Sequence, residues 1–313
     1  MSRRQQQRPQ PPRQKSKSHL QGLRSGFGKS KSYLQGQHAA RGNSPSHLQG
    51  LQTGLGKLLQ ALLTQRTAPR LLPLVLLLLL ACQPRSPGLT VFAAASLREA
   101  LTDVAALYEA QHPGQTVTLQ FAGSQELRMQ LQHGARADVV ATADDAQMAQ
   151  LVQAGVAHGP QPLTCNRPVL VLGRDAPADV VAFADLPRLR RIVLGAPAVP
   201  IGAYAEQILA HAGPEFAAAV QAHVVSREPN ARQVLAKVTL GEADAAIVYA
   251  TDARVAGAAV RTVAIPAAVN VTARYAIAAG DGAQAAAAGA FIALSRAAAG
   301  QAALAARGFV ACP

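Results

Sequence analysis

From residue 89 onward, short Val-rich segments alternate with helical stretches, and this alternation constrains the fold more than any single motif. "TVFAAA" precedes a helical pattern over 97–111, "TVTLQFA" (116–122) precedes 125–133, and "ADVVATA" (137–143) precedes 145–154. "RIVLGA" (191–196) then precedes 203–212, "HVVS" (223–226) precedes 231–240, and "AAIVYA" (245–250) precedes a short helix. A Gly/Ala-rich helix is expected to close the chain over 283–307. Such alternation implies the α/β class, parallel sheets covered by helices. In the first helix Leu97, Leu101, Val104 and Leu107 or Tyr108 recur at the helical period, with Arg98, Glu99, Asp103 and Glu109 opposite.

The strand-to-helix corners are where chemistry is expected. "AAAS-LREAL" and "FAGS-QELRMQL" put Ser96 and Ser124 at N-cap positions, and "REPN-ARQVLAKV" does the same with Asn230. "VPIG-AYAEQIL" brings a Pro-Ile-Gly turn to a helix start, and "IVY-ATDARV" leaves Tyr249 at a strand end. Each helix N-terminus offers free N–H groups and a positive dipole end. In open α/β sheets these ends share the carboxyl edge of the strands, where ligands bind. Several such ends around one cleft make an anion site that needs no Arg or Lys. The small residues of "FAAAS" and "FAGS" leave the backbone open to an approaching anion.

The net charge of +13 points to nucleic acid until it is located. Residues 1–81 hold 13 of the 30 Lys and Arg and no acid; the other 17 balance the 17 Asp and Glu that follow. The body is neutral and lacks Trp, so no nucleic-acid partner is expected. With half its residues hydrophobic, the chain has material for a large core in one or two domains.

Residues 71–81 form an apolar run after Arg70, too short to span a bilayer, which needs about 20 residues. A basic flank, a short apolar core and a small-residue exit describe a secretory signal. Its ending, Leu79-Leu80-Ala81-Cys82, resembles a bacterial lipobox. Cys82 is then the lipidated first mature residue, with 82–87 as a tether. The alternative is an ordinary signal peptide cleaved nearby, which leaves Cys82 free. Residues 1–70 repeat "KSKSHLQGL", "KSKSYLQGQ" and "SPSHLQGLQTGLGK" and are expected to be a basic, low-complexity, disordered leader. Signal n-regions are normally short, so the true translation start is expected near residue 60 to 70. "GLRSGFGKS" (22–30) is not a phosphate-binding loop, because Leu23 stands where that motif needs Gly.

An enzyme reading, a hydrolase with Ser96 or Ser124 as nucleophile, requires an adjacent base and a group orienting it. His112, His133, His158, His211 and His223 sit away from the strand-end corners, and no Gly-x-Ser-x-Gly elbow occurs. No enzymatic activity and no cofactor are expected.

"TVFAAASL", "FAGSQEL", "ADVVATAD", "VPIGAYAEQIL", "GEADAAIVYATDA" and the closing "RGF" fall in an order and spacing that resembles the periplasmic molybdate-binding proteins of ABC importers. The likeness spans residues 88–310. It implies a type II, two-lobed periplasmic binding-protein fold, each lobe a mostly parallel sheet flanked by helices, with two crossover strands as hinge. Residues 88–166 plus 271–313 would form lobe 1 and 167–270 lobe 2, crossing at "NRPVLVLG" and "VTARYAIAAG". It also implies a tetrahedral dianion, molybdate or tungstate, held by the hydroxyls of Ser96, Ser124 and Tyr249 and by backbone N–H groups at Ile201 and Ala231. The family usually has Ala where this chain has Ile201; the backbone donor survives that change. Sulfate is the alternative ligand. The implied partners are the importer's permease and ATPase, with the protein an exported monomer, lipid-anchored or periplasmic. Cys165 and Cys312 admit two readings: a disulfide tying the C-terminus to the crossover, or two buried thiols.

Overall fold

The computed structural model describes residues 88–313. The leader (1–70), the apolar core (71–81), Cys82 and the tether (82–87) lie outside the described residues. Among the described residues no helix is long and apolar enough to cross a membrane.

The chain builds one arrangement twice. In the first half, β1 (Leu89–Ala94), α1 (Arg98–Gln111), β2 (Val117–Ala122), α2 (Ser124–Gln132), β3 (Val139–Thr142) and α3 (Asp145–Gln153) lead into β4 (Ala157–Asn166). The second half runs through β5 (Pro168–Leu172), β6 (Ile192–Gly195), α4 (Pro200–Ala212), α5 (Pro214–Gln221), β7 (Val224–Glu228) and α6 (Ala231–Thr239). It continues with β8 (Ala245–Tyr249), α7 (Ala250–Ala256) and β9 (Arg261–Val263). The chain then returns through β10 (Ala273–Gly280), α8 (Ala285–Arg296) and α9 (Ala298–Ala306).

Two five-stranded sheets result, ordered β2-β1-β3-β10-β4 and β7-β6-β8-β5-β9. Both are mixed. β1 runs parallel to β2 and β3, and β6 runs parallel to β7 and β8. β10 and β5 join antiparallel to these parallel groups. The parallel part of each sheet aims its carboxyl edge at the other lobe and brings the helix starts with it.

Between β4 and β5 only Arg167 separates the two sheets. The return passage is the irregular stretch 264–272, and β10 belongs wholly to the first sheet. Asn270 Nδ2 donates to Pro168 O at 3.0 Å, which ties the two passages side by side.

β1 is buried on both faces. Val91 and Ala93 join the main core with Leu97, Leu101, Val104 and Tyr108 of the first helical stretch, whereas Phe92 faces Leu127, Leu131, Val140 and Met148. That explains its unbroken apolar sequence. At the C-terminus the single helix expected over 283–307 is two, broken at Ala297 in extended conformation. A side chain on Gly300 would overlap the Leu294 carbonyl oxygen, so this glycine permits the close turn of α9 onto α8. A disulfide joins Cys165 on β4 to Cys312, with Cα atoms 5.0 Å apart, beside a backbone bridge between Cys165 and Val310.

Candidate functional site

The first two corners differ from the capping expected of them. Between β1 and α1 lies a 3-10 turn, Ala95–Leu97, and Leu97 occupies the cap position of α1 without a side-chain bond. Ser96 is therefore not an N-cap; the extra turn carries the chain off the strand before the helix begins. Its hydroxyl instead lies 2.8 Å from Tyr275 Oη. Ser124 is the first residue of α2, not its cap. Gly123 takes the cap position, and its N–H donates to Glu126 Oε2 at 2.9 Å. Ser124 Oγ accepts a hydrogen bond from Ala143 N–H at 3.0 Å. Asn230 does cap α6, its Oδ1 accepting from Gln233 N–H at 3.0 Å.

Pro200 opens α4, where a missing N–H costs nothing, and Ile201 follows it. Ala231 opens α6, and Tyr249 ends β8. The structure brings Ser96, Ser124, Ile201, Ala231 and Tyr249 to one cavity between the two sheets, alongside Gly123, Val199 and Asn230. The approach of α4 is close because Gly202 packs on the end of β6; a methyl group there would sit 2.6 Å from the Gly195 carbonyl oxygen.

The cavity is small, with about 20 Å³ of room for the centres of water-sized atoms. That suits a compact ion of a few atoms better than a sugar or an amino acid. None of its lining residues is charged. Its polarity comes from hydroxyls and from the N-termini of α2, α4 and α6, whose first N–H groups have no intrahelical acceptor. Such a lining favours an anion. Among the described residues no cluster of three or more His, Cys, Asp or Glu is placed to hold a cation.

Tyr249 is 1% exposed, and its phenol oxygen has no hydrogen-bond partner among the described residues. A buried unpaired hydroxyl costs about 1–3 kcal/mol, so a group that accepts its proton gains that much on arrival. Burial, reinforced by neighbouring Tyr275 and Tyr204, holds the Tyr249 phenol well above its ordinary pKa, so it keeps its proton. Among the described residues neither serine oxygen bonds to a histidine: Tyr275 and Ala143 are their partners.

Residues that sequence reasoning missed join the two lobes around this cavity. Gln125 Nε2 donates to Pro229 O at 2.7 Å, and Gln147 Nε2 to Ala198 O at 3.2 Å. Arg274 N–H donates to Tyr204 Oη at 3.2 Å. Arg232 on α6 pairs with Glu99 on α1 and lies 2.7 Å from the fully buried Asp252. The partners across the two lobes are 51 to 133 positions apart, and no local pattern announces them.

Residues 89–310 match the family model described as bacterial extracellular solute-binding protein. The molybdate-binding protein ModA of Mycobacterium tuberculosis is 38% identical over 214 residues, covering 64% of this chain and 80% of that protein. Two solved structures share the fold. The periplasmic molybdate-binding protein of Azotobacter vinelandii aligns with a TM-score of 0.63 at 21% identity, over 72% of this chain and 100% of that one. The sulfate-binding protein SubI of Mycobacterium tuberculosis aligns with a TM-score of 0.65 at 20% identity, over 72% and 86%.

Proposed function

We infer a ligand for this chain from what it is: it belongs to the bacterial extracellular solute-binding proteins, a family of binding proteins and not of enzymes. The solute is molybdate, with tungstate, of equal charge and shape, bound alongside it. The protein captures the anion outside the cytoplasmic membrane and hands it to the permease and ATPase of an ABC importer. It acts as a monomer, held to the membrane by a lipid on Cys82 or free in the periplasm.

The observation that carries this reading is the unpaired Tyr249 hydroxyl in a cavity whose lining bears no charge. A fully deprotonated tetrahedral oxyanion presents acceptors in every direction. Hydroxyls of Ser96, Ser124 and Tyr249 and backbone N–H groups of Ile201 and Ala231 supply matching donors. Hydrogen bonds to a charged acceptor are roughly twice as strong as neutral ones, so neutral dipoles suffice. A site without Arg or Lys also buries no uncompensated charge when empty. Donors come from both lobes, so the ligand stabilises their closed arrangement, the state the permease reads. The 38% identity to a protein named for molybdate supports that anion.

Sulfate is the second reading, favoured by the fold shared with a sulfate-binding protein. Calorimetry of the purified protein with molybdate, tungstate, sulfate and phosphate tests both. Tight binding of molybdate and tungstate with far weaker sulfate is expected. Sulfate binding as tight as molybdate would overturn the assignment.

A further inference from the structure

Ser96 has one proton and Tyr275 has one, and their oxygens are 2.8 Å apart. Either can donate, so the direction of this bond decides whether Ser96 offers the cavity a proton or a lone pair. We propose that Tyr275 is a positioning residue for the ligand, holding Ser96 as a donor toward the cavity. The inference rests on the oxyanion reading of that cavity.

The direction follows from the partners each oxygen has. Tyr275 Oη is buried, and Ser96 Oγ is its one hydrogen-bond partner among the described residues. Were Ser96 the donor, the phenol proton would stay buried and unmet, and a buried unmet donor is penalised. The phenol therefore donates to Ser96 Oγ, and the serine's own hydrogen is left for the cavity it lines.

The phenol is held rigidly for this task. Tyr275 is 1% exposed, and its ring meets Tyr249 edge-on at 5.8 Å and Phe309 at 5.3 Å. Burial also lifts its pKa well above the ordinary value, so the proton stays on the oxygen. Ser124 is polarised in the same sense by a simpler device, since its Oγ accepts the Ala143 N–H. Both serines thus turn a hydrogen toward the cavity. Such a hydrogen meets the P–OH of phosphate, which keeps a proton at neutral pH, donor to donor, and an unmet buried donor is penalised. The polarity of the pair therefore favours oxyanions that carry no proton.

Calorimetry of the purified full-length protein with molybdate and with phosphate tests this in wild type, Tyr275→Phe, Ser96→Ala and the double variant. Tyr275→Phe keeps the ring and removes the proton. It is expected to weaken molybdate binding roughly tenfold, the scale of one hydrogen bond to a charged group. The molybdate-to-phosphate ratio should narrow, because Ser96 is then free to turn its lone pair inward. In the Ser96→Ala background the same change should cost nothing further. Ser96→Ala decides alone if Tyr275→Phe fails to fold: it should weaken molybdate binding roughly tenfold, because the hydrogen it removes points at the anion. Unchanged or tighter binding would mean that Ser96 gives its proton to Tyr275 and overturns the proposal. Wild-type affinity in Tyr275→Phe overturns it too. So does a loss equal for both anions that persists in the Ser96→Ala background, since that marks a general packing defect. A wild-type protein that binds no tetrahedral dianion overturns the oxyanion reading itself. Binding weakened by Ser96→Ala and untouched by Tyr275→Phe overturns only the positioning role.

Discussion

Tyr249 carries a buried hydroxyl with no partner among the described residues, a cost that an accepting ligand relieves, and this separates its two possible roles. A phenol kept for packing would be paired or solvated; this one is buried and unpaired among the described residues. Tyr249→Phe keeps the ring against Tyr204 and Tyr275 and removes the orphan oxygen. The ligand-free variant should be as stable as wild type or about 1 kcal/mol more so, while molybdate binding weakens roughly tenfold. Thermal unfolding with and without molybdate reads both. A loss of ligand-free stability with unchanged affinity would assign the hydroxyl to the core instead.

Among the elements, α1, α6 and α7 meet at a group of charges. Arg232 of α6 bridges Glu99 of α1 and Asp252 of α7. Asp252 is fully buried, and desolvation raises its carboxyl to about 6 from an ordinary 3.8, against the pull of Arg232 and with a push from Glu99. The native carboxyl thus holds its proton more tightly than the unfolded one does. Its contribution to stability is greatest near pH 4 and falls as pH rises to about 6, by on the order of 3 kcal/mol, then levels off. Asp252→Asn cannot titrate, so the stability difference between wild type and this variant should shift against wild type across that window. Denaturant unfolding of both proteins at pH 4, 5, 6 and 7 measures it, and parallel pH profiles would rule it out. Sequence inspection placed Glu99 and Asp252 on helices, yet their shared arginine is 133 and 20 positions away.

For the molecule as a whole, the informative residue is Gly123. Its backbone conformation is ordinary for any amino acid, with φ −63° and ψ 141°, so local strain does not require glycine there. A methyl group would instead overlap the Pro229 carbonyl oxygen of the facing lobe, the atom that accepts the Gln125 side-chain bond. Gly123→Ala should therefore prop the lobes apart while leaving each lobe sound. Ligand affinity is expected to fall tenfold or more, on the scale of a few lost contacts, with little change in ligand-free unfolding temperature. Small-angle scattering with saturating molybdate should show a more extended particle than wild type. Identical affinity and scattering would mean that Gly123 does not face Pro229 when ligand binds.

The alternation of strand and helix determined the α/β class and the positions of the corners, because periodicity and burial are local properties of the chain. The residues at those corners were legible for the same reason: a small residue, a serine or a tyrosine at a strand end is visible without knowing its neighbours. What each hydroxyl does there was not legible. The capping role read for Ser96 and Ser124 gave way to bonds with Tyr275 and Ala143, partners 179 and 19 positions distant. Local propensity predicts that a serine at a helix start turns back on its own backbone, and only the packed fold presents a competing partner. The antiparallel strands of each sheet and the break at Ala297 were likewise decided by long-range packing. The direction proposed for the Ser96 proton belongs to that tertiary level entirely, since it depends on a phenol on the return strand that only the packed fold sets beside it.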